Sequence, residues 1–183
     1  MVARNKGNWV WMDLEMTGLN PESCRIIQIA TIITDSELNQ LESLEMVVWQ
    51  PESVLSQMEP FVRDMHTHNG LLDKVRESSH SIADAESKTL EMIMRHIPYR
   101  KGILAGNSIW QDRRFLIKQM PLLEKYLHYR MIDVSSLKVV TQQWYGAKAQ
   151  PPTKASTHTA LEDIQASIEE LRFYRQTCFK EPS

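Results

Sequence analysis

Short apolar runs separated by turn-forming residues occupy roughly the first fifty positions of the chain. Residues 9–15, 26–34 and about 43–49 each predict a strand, and β-branched residues enrich the second run. The first run places Trp9 and Trp11 on one face and other apolar residues on the opposite face, which indicates a strand covered on both sides. Because the gaps between the runs are short and contain turn-forming residues, the pattern predicts an antiparallel meander.

Beyond Glu59 the apolar positions follow a helical period. Residues 81–97 carry apolar side chains three or four positions apart, and Pro98 ends this predicted helix. The pattern is typical of a helix that packs one face on a core, and we assign it no other role.

Strands and helices alternate in the second half of the chain. A short apolar strand over 103–107 is followed by a capping-box pattern at 108–111, which predicts a helix start. A further strand near 131–132 leads into a predicted helix over 134–144, with Asp133 as its N-cap. Strands that come first, followed by strands that alternate with helices, indicate a mixed α/β sheet.

A second capping-box pattern, at 159–162, begins the last predicted helix. Residues 145–154 precede it and contain glycine and two prolines, which predicts a surface loop; we assign this loop no function. The fold class predicted from all these elements is α/β, a mixed five-stranded sheet flanked by helices. We expect a single domain over residues 1–183, with its core at about 9–179.

The composition predicts a sizeable core but no strongly charged surface. The 183 residues are 42% hydrophobic, the net charge is −2 and the pI is about 6.3. Long duplex nucleic acid is therefore an unexpected partner, because its binding depends on neutralising many phosphates, whereas a short or single-stranded substrate stays open. Cys24 and Cys178 match no metal or disulfide spacing. No signal-like or membrane-spanning stretch is present, so we expect a cytoplasmic protein without a membrane partner.

Paired acids end the first predicted strand. Asp13 and Glu15 are two residues apart, so their carboxylates project from the same side of the strand. Two anions held this close resist burial unless a cation joins them, and magnesium and manganese prefer such oxygen ligands. The simpler alternative is a strand end whose acids extend into solvent, and the D-x-E pattern alone does not decide between the two.

Two further acids lie near predicted helix starts. Asp112 shares a helix face with Phe115 and Leu116, which directs its side chain toward the core. Asp163 has the equivalent place in the last helix, on a face with Ile164. Either acid alone could simply compensate a helix dipole. Together with the paired acids of the first strand, they predict a cluster of four carboxylates.

His158 lies five residues before Asp163. A lone histidine is most often structural, and the chain has six histidines in all. Beside a metal cluster, however, His158 becomes a candidate general base, because the ordinary pKa of histidine lies near neutral pH. Four carboxylates and a histidine suit phosphodiester hydrolysis by a two-metal mechanism.

Three motifs carry a resemblance to a known superfamily. They are Asp-Leu-Glu-Met-Thr-Gly-Leu at 13–19, Gly-Asn-Ser at 106–108 followed by Asp-Arg-Arg-Phe at 112–115, and His-Thr-Ala-Leu-Glu-Asp-Ile at 158–164. In sequence, order and spacing they resemble the three motifs of the DEDDh 3′→5′ exonucleases.

Met16 and the stretch 128–135 are similar to the oligoribonuclease family within that superfamily, and they differ from proofreading and tRNA-trimming relatives. The resemblance implies an RNase H-like fold, a homodimer and two divalent cations, Mg²⁺ or Mn²⁺. It implies that His158 is the general base. The metal ligands that it implies are Asp13, Glu15, Asp112 and Asp163.

The resemblance also implies a short pocket instead of a long groove. Its substrates would be RNA oligonucleotides from dinucleotides upward, hydrolysed to nucleoside 5′-monophosphates. Leu19 would wedge beside the terminal base, and Phe61, where the family usually has tryptophan, would stack on the next base with less area. The residues implied to bind the 5′ phosphate are Ser108, Arg130, Ser135 and His66, with Tyr129 coming from the partner subunit.

Two other interpretations stay open at this point. A related DEDDh exonuclease that acts on DNA or on tRNA 3′ ends would share the motifs, although the stretch 128–135 argues against it. A non-catalytic nucleic-acid-binding relative would be expected to lack at least one of the carboxylates, and all four are present in this chain.

Overall fold

The computed structural model describes residues 7–151 and 159–179, which are built around one five-stranded sheet. In chain order its strands are β1 (Trp9–Met16), β2 (Ile26–Thr34), β3 (Gln40–Val47), β4 (Ile103–Gly106) and β5 (Met131–Asp133). Their order across the sheet is β3-β2-β1-β4-β5.

The direction of the strands divides the sheet into two parts. β1 pairs antiparallel with β2, and β2 pairs antiparallel with β3, so the predicted meander is confirmed. On the other side of β1, β4 runs parallel to it and β5 runs parallel to β4. The predicted α/β class, a mixed five-stranded sheet flanked by helices in a single domain, is confirmed.

Eight α-helices flank the sheet in the described part of the chain. They are α1 (Glu52–Leu55), α2 (Pro60–His68), α3 (Leu71–Glu77), α4 (Ile82–His96), α5 (Ile109–Gln119), α6 (Pro121–Tyr126), α7 (Val134–Tyr145) and α8 (Ala160–Thr177). A short 3₁₀ helix, Gly146–Ala149, follows α7, so the predicted loop after residue 144 is partly helical and Ala149 is buried. Among the helices of these residues, none has the length and apolarity needed to cross a membrane.

The core lies on both faces of β1, as the two-sided apolar pattern predicted. Val10 and Met12 pack on one face with side chains of α4 and α5. Trp11 packs on the other face with side chains of α8, and its indole N–H donates a hydrogen bond to Oγ1 of Thr34 at 3.0 Å. Since side chains alternate along a strand, Asp13 and Glu15 share the Trp11 face, which α8 covers.

The three predicted helix starts, after Ser108, Asp133 and Thr159, are confirmed, but the predicted side-chain cap is present at only one of them. Asp133 caps α7, because its side chain accepts a hydrogen bond from the N–H of Ser135. The capping box predicted at Ser108 is wrong: this residue is left-handed, with φ 49°, and makes no side-chain cap bond. The one predicted at Thr159 is also wrong, because its hydroxyl donates to the carboxylate of Glu162 at 2.9 Å and accepts no cap bond from the helix backbone.

Candidate active site

Four acids from three different elements form what we name the carboxylate floor, comprising Asp13, Glu15, Asp112 and Asp163. Oxygens of Asp13 and Glu15, from β1, and of Asp163, from α8, all lie within 4.8 Å of one another. Such a set of oxygens is able to hold a divalent metal ion. The structure thus brings together acids that are 150 positions apart in the chain.

Asp112 joins the floor from α5 through the backbone of β1. Its Oδ1 accepts a hydrogen bond from the N–H of Leu14 at 2.9 Å, so the first turn of α5 is bound between the two acids of β1. Gly106, at the end of β4, permits this approach, because a Cβ there would lie 2.8 Å from the carbonyl oxygen of Met12 and 3.0 Å from Ile109.

Burial and mutual repulsion make the floor a strong attractor of positive charge. Burial is the main cause that raises the pKa of Asp13 to about 9, and the charges of the other three floor acids add to it. The pKa of Glu15 is raised to about 7, first by burial and then by Asp163 and Asp112. Burial also raises the pKa of Asp112 to about 7, against the opposing effect of the Leu14 N–H. Metal ions would relieve this repulsion, so the donor set fits the divalent cations that the sequence predicted.

His66 lies beside the floor but does not neutralise it. Its Nε2–H donates to the carbonyl oxygen of Met16 at 3.1 Å and is 3.9 Å from Oε2 of Glu15. The side chain is fully buried, and this burial lowers its pKa while the bond to Met16 acts in the opposite direction. His66 is therefore a neutral group that supports the end of β1.

An apolar end of the site lies next to Glu15. We give this name to a cavity of about 640 Å³ whose lining includes Leu19, Phe61 and His66. Leu19 is 73% exposed and Phe61 is 77% exposed. The backbone of the Leu19 loop is held by α5, because the carbonyl oxygen of Leu19 accepts a hydrogen bond from Nε2 of Gln111 at 2.6 Å.

A polar end of the site is built on Asp133, and we define it as Ser108, Asp133 and Ser135. Oδ1 of Asp133 accepts hydrogen bonds from the backbone N–H groups of Ser108 and Ser135, each at 3.0 Å. The two serine hydroxyls lie 3.3 Å apart. Arg130 is exposed on the preceding loop, with its guanidinium 5.4 Å from the ring centroid of Tyr129.

Comparison with known proteins shows to which family this chain belongs. The exonuclease (RNase_T) family model matches residues 10–171. The oligoribonuclease of Francisella tularensis subsp. tularensis (strain WY96-3418) is 49% identical over 170 residues, which cover 92% of this chain and 94% of that protein. The chain belongs to the oligoribonuclease family. A second member, the oligoribonuclease of Vibrio parahaemolyticus serotype O3:K6, is 49% identical over 174 residues, or 94% of this chain and 96% of that protein.

Membership of the oligoribonuclease family makes the chain an exonuclease, and solved structures of exonuclease I share its fold. The E. coli enzyme in complex with a 5cy-dT13 oligonucleotide has a TM-score of 0.76 at 16% identity, covering 95% of this chain and 42% of that one. The enzyme of Methylocaldum szegediense has a TM-score of 0.73 at 19% identity, covering 94% and 41%. The chain thus spans less than half of these longer proteins, and the likeness shows the fold alone.

The residues that the oligoribonuclease resemblance implied fall into separate groups. The four acids form the floor, Leu19 and Phe61 form the apolar end, and Ser108 and Ser135 form the polar end. His66 was predicted with the phosphate-binding group, whereas the structure places it at the apolar end against Met16. Tyr129 is 71% exposed. His158 lies outside the described residues.

Three residues that organise the site were not predicted to belong to it. Gln111 holds the Leu19 loop, Asp133 holds both serines, and Arg113 binds the backbone before Arg130. Asp133 was detectable as an N-cap, but its second bond, to Ser108, depends on tertiary contact. For Arg113 the available signal was a charged residue directly after Asp112, inside a helix rich in core side chains.

Proposed function

We propose that this exonuclease is a 3′→5′ exoribonuclease that hydrolyses RNA oligonucleotides of two to a few residues to nucleoside 5′-monophosphates. The observation that carries the proposal is one carboxylate floor that lies next to an apolar end, together with a polar end at the start of α5, the helix that carries Asp112. The names of the relatives from Francisella and Vibrio support the same assignment.

The floor acids would hold two divalent cations, Mg²⁺ or Mn²⁺. Bound there, the cations would supply an activated water and would stabilise the charge that develops on the leaving oxygen. Asp13, Glu15 and Asp163 offer the converging oxygens, while Asp112 also keeps α5 in register with β1. His158, five residues before Asp163, is the proposed general base that accepts the proton of the attacking water.

The two ends would select a short substrate. Leu19 and Phe61 present exposed apolar surfaces to the bases at the 3′ side, where stacking tolerates any base. Ser108 and Ser135 offer hydroxyls, and Arg130 a planar set of donors, to a 5′ phosphate. A substrate bound at both ends needs only a few cationic contacts, which agrees with the net charge of −2. The partner subunit of a homodimer would add the hydroxyl of its Tyr129.

A length series tests this function. The enzyme would be incubated with Mn²⁺ and 5′-labelled RNA of two to about ten nucleotides. Its kcat/KM would be measured for each RNA length. We expect the dinucleotide to be the best substrate and to yield 5′-monophosphates. An enzyme that degraded long strands as fast as dinucleotides would contradict the short-substrate assignment.

Two controls separate the alternatives. Asp112→Ala should abolish hydrolysis while circular dichroism shows an intact fold, whereas near-normal activity would remove this residue from the metal site.

Deoxyribonucleotides and a tRNA 3′ end serve as competing substrates, and a clear preference for either would favour a sister exonuclease. A non-catalytic binder would release no nucleotide at any manganese concentration.

A further inference from the structure

Residues 128–135, which we name the cap segment, are bound to α5 through one buried arginine. Arg113 is 7% exposed and uses three of its nitrogens. Its Nε and Nη2 donate to Oε1 of Glu124 at 3.2 and 2.8 Å, which fixes the plane of the guanidinium. Nη1 then donates to the carbonyl oxygen of Tyr129, and Nη2 to that of His128, both at 3.0 Å. The guanidinium therefore holds the backbone directly before Arg130.

The residue before Arg113 belongs to the carboxylate floor. Asp112 accepts the N–H of Leu14, so two consecutive residues of α5 bind the floor and the cap segment. Neighbouring residues of an α-helix are separated by about 1.5 Å along its axis and by a fixed rotation. Two adjacent residues of one helix thus connect the proposed metal site to the proposed phosphate site, and the helix backbone fixes the distance between them.

The opposite end of the cap segment is bound to the start of α5 as well. Asp133 accepts the N–H of Ser108, the residue directly before α5, together with the N–H of Ser135. Within the cap segment, the N–H of Arg130 donates to Nδ1 of His128 at 3.0 Å. The middle of the segment, Met131–Asp133, pairs with β4 as β5. At its first end, the N–H of His128 donates to the carbonyl oxygen of Gly102 at 2.8 Å, and Arg113 adds the side-chain contact that binds the carbonyls of His128 and Tyr129.

We propose that Arg113 is a positioning residue that fixes the cap segment at a set distance from the carboxylate floor and so makes hydrolysis of dinucleotides depend on a 5′ phosphate. This inference rests on the proposed function, because it concerns the phosphate-binding side of that same site. Arg113 touches no reacting atom; it acts through the backbone that carries Arg130.

A lysine at position 113 would keep the positive charge but would lose the planar arrangement of donors. A guanidinium presents five donors in one plane, and Arg113 uses that plane to reach one carboxylate and two carbonyls together. An ammonium on a flexible stem can neutralise Glu124 without holding both carbonyls. Arg113→Lys is therefore the informative substitution, because it leaves the half-buried carboxylate of Glu124 with a cationic partner.

The experiment compares two substrates that differ only at the 5′ end. A diribonucleotide with a 5′ phosphate and the same diribonucleotide with a 5′ hydroxyl are hydrolysed with Mn²⁺, and the ratio of their kcat/KM values is the readout. In Arg113→Lys we expect this ratio to fall at least about tenfold, because loss of hydrogen bonds from a charged group frees the two carbonyls directly before Arg130. Arg130→Ala should lower the same ratio, and the double variant should be little worse than Arg130→Ala alone.

Arg172→Lys is the matched control. Arg172 also donates to a glutamate, Glu169, and to a backbone carbonyl, that of Leu38 at 2.9 Å, but it lies on α8 away from the cap segment. This variant should keep the wild-type ratio. If Arg113→Lys fails to fold, Glu124→Gln takes its place, since it removes the negative charge that strengthens both bonds to the guanidinium, and it should lower the ratio in the same direction.

The outcomes distinguish the inference from the function on which it rests. If both dinucleotides are hydrolysed with a wild-type ratio near one, the inference and the 5′-phosphate site are overturned while the exoribonuclease activity stands; if neither dinucleotide is hydrolysed, the proposed function itself is overturned. A high wild-type ratio that falls in Arg130→Ala but persists in Arg113→Lys and Glu124→Gln would overturn the role of Arg113 alone. Equal losses on both substrates, with the ratio unchanged, would show Arg113 to be structural only and would likewise overturn it.

Discussion

The apolar end and the polar end adjoin the same carboxylate floor but are built in opposite ways. At the apolar end, Leu19 and Phe61 project 73% and 77% exposed from a loop and from α2. At the polar end, the backbone of Ser108 and of Ser135 is fixed by one carboxylate, that of Asp133. The difference suits their proposed ligands. The exposed apolar end can stack on the π face of any base, whereas the fixed polar end can hold its donors in the places that a phosphate needs.

The largest effect should come from the floor, because both ends depend on it. Asp13→Asn removes a carboxylate from the centre of the cluster, and we expect kcat to fall roughly 10³-fold or more on every substrate, as several kcal/mol of charge stabilisation is lost. The rate of mononucleotide release in the presence of Mn²⁺ measures this fall in kcat. Asp73→Asn, an exposed acid on α3, is the control and should behave as wild type. Retained activity in Asp13→Asn would mean that the floor is not the metal site.

A smaller but measurable effect concerns the stability of the metal-free protein. The folded pKa values of about 9 for Asp13 and about 7 for Glu15 and Asp112 lie above the ordinary values of 3.8, 4.5 and 3.8. The folded state therefore retains protons that the unfolded state releases, so stability should fall as pH rises from about 4 to about 9. Below this window both states are protonated and the effect vanishes.

Thermal unfolding in EDTA at a series of pH values checks this direction. The Tm should decrease across the window, Mn²⁺ should restore it at the alkaline side, and Asp13→Asn should flatten the slope because one titrating group and one repulsive charge are gone. A Tm that rises with pH in EDTA would show that the acids are not held together in the free protein.

The smallest effect should come from the adaptable apolar end. Phe61→Ala is expected to lower kcat/KM by about tenfold, since base–aromatic stacking contributes about 1–3 kcal/mol per base. Phe61→Trp should match or modestly exceed wild type, because the larger ring adds stacking area. Both changes should leave the ratio between 5′-phosphate and 5′-hydroxyl dinucleotides unaltered. The comparison between the two ends assumes that they act independently. A change in that ratio in either Phe61 variant would contradict this assumption.

The sequence predicted best what depends on local pattern. β2 was predicted with its observed bounds, and β1 within one residue, because their apolar runs are long and interrupted only by turns. The cap by Asp133 was predicted because it joins residues two positions apart. The inward direction of Asp112 followed from the helical period that it shares with Phe115 and Leu116, both fully buried.

What the sequence could not predict depends on contacts between distant segments. The hydroxyl of Ser108 lies near Ser135 and leaves the α5 backbone uncapped, since the residue adopts a left-handed conformation that no local pattern signals. The two carbonyls bound by Arg113 come from a loop more than a dozen positions away. β3 begins at Gln40 instead of about 43 because its start is paired with β2, although its side chains there are exposed.

The position of β3 at one end of the described strand order bears on how the protein behaves at high concentration. A strand of eight residues with a free side is a template for pairing with another chain. Glu42 and Glu45 lie on this strand, and Glu42 is in addition bound by Arg95 and His96 of α4. Two molecules that met edge to edge would have to bring the charged side chains of this strand together, so the same strand that completes the sheet also discourages its lateral growth into aggregates.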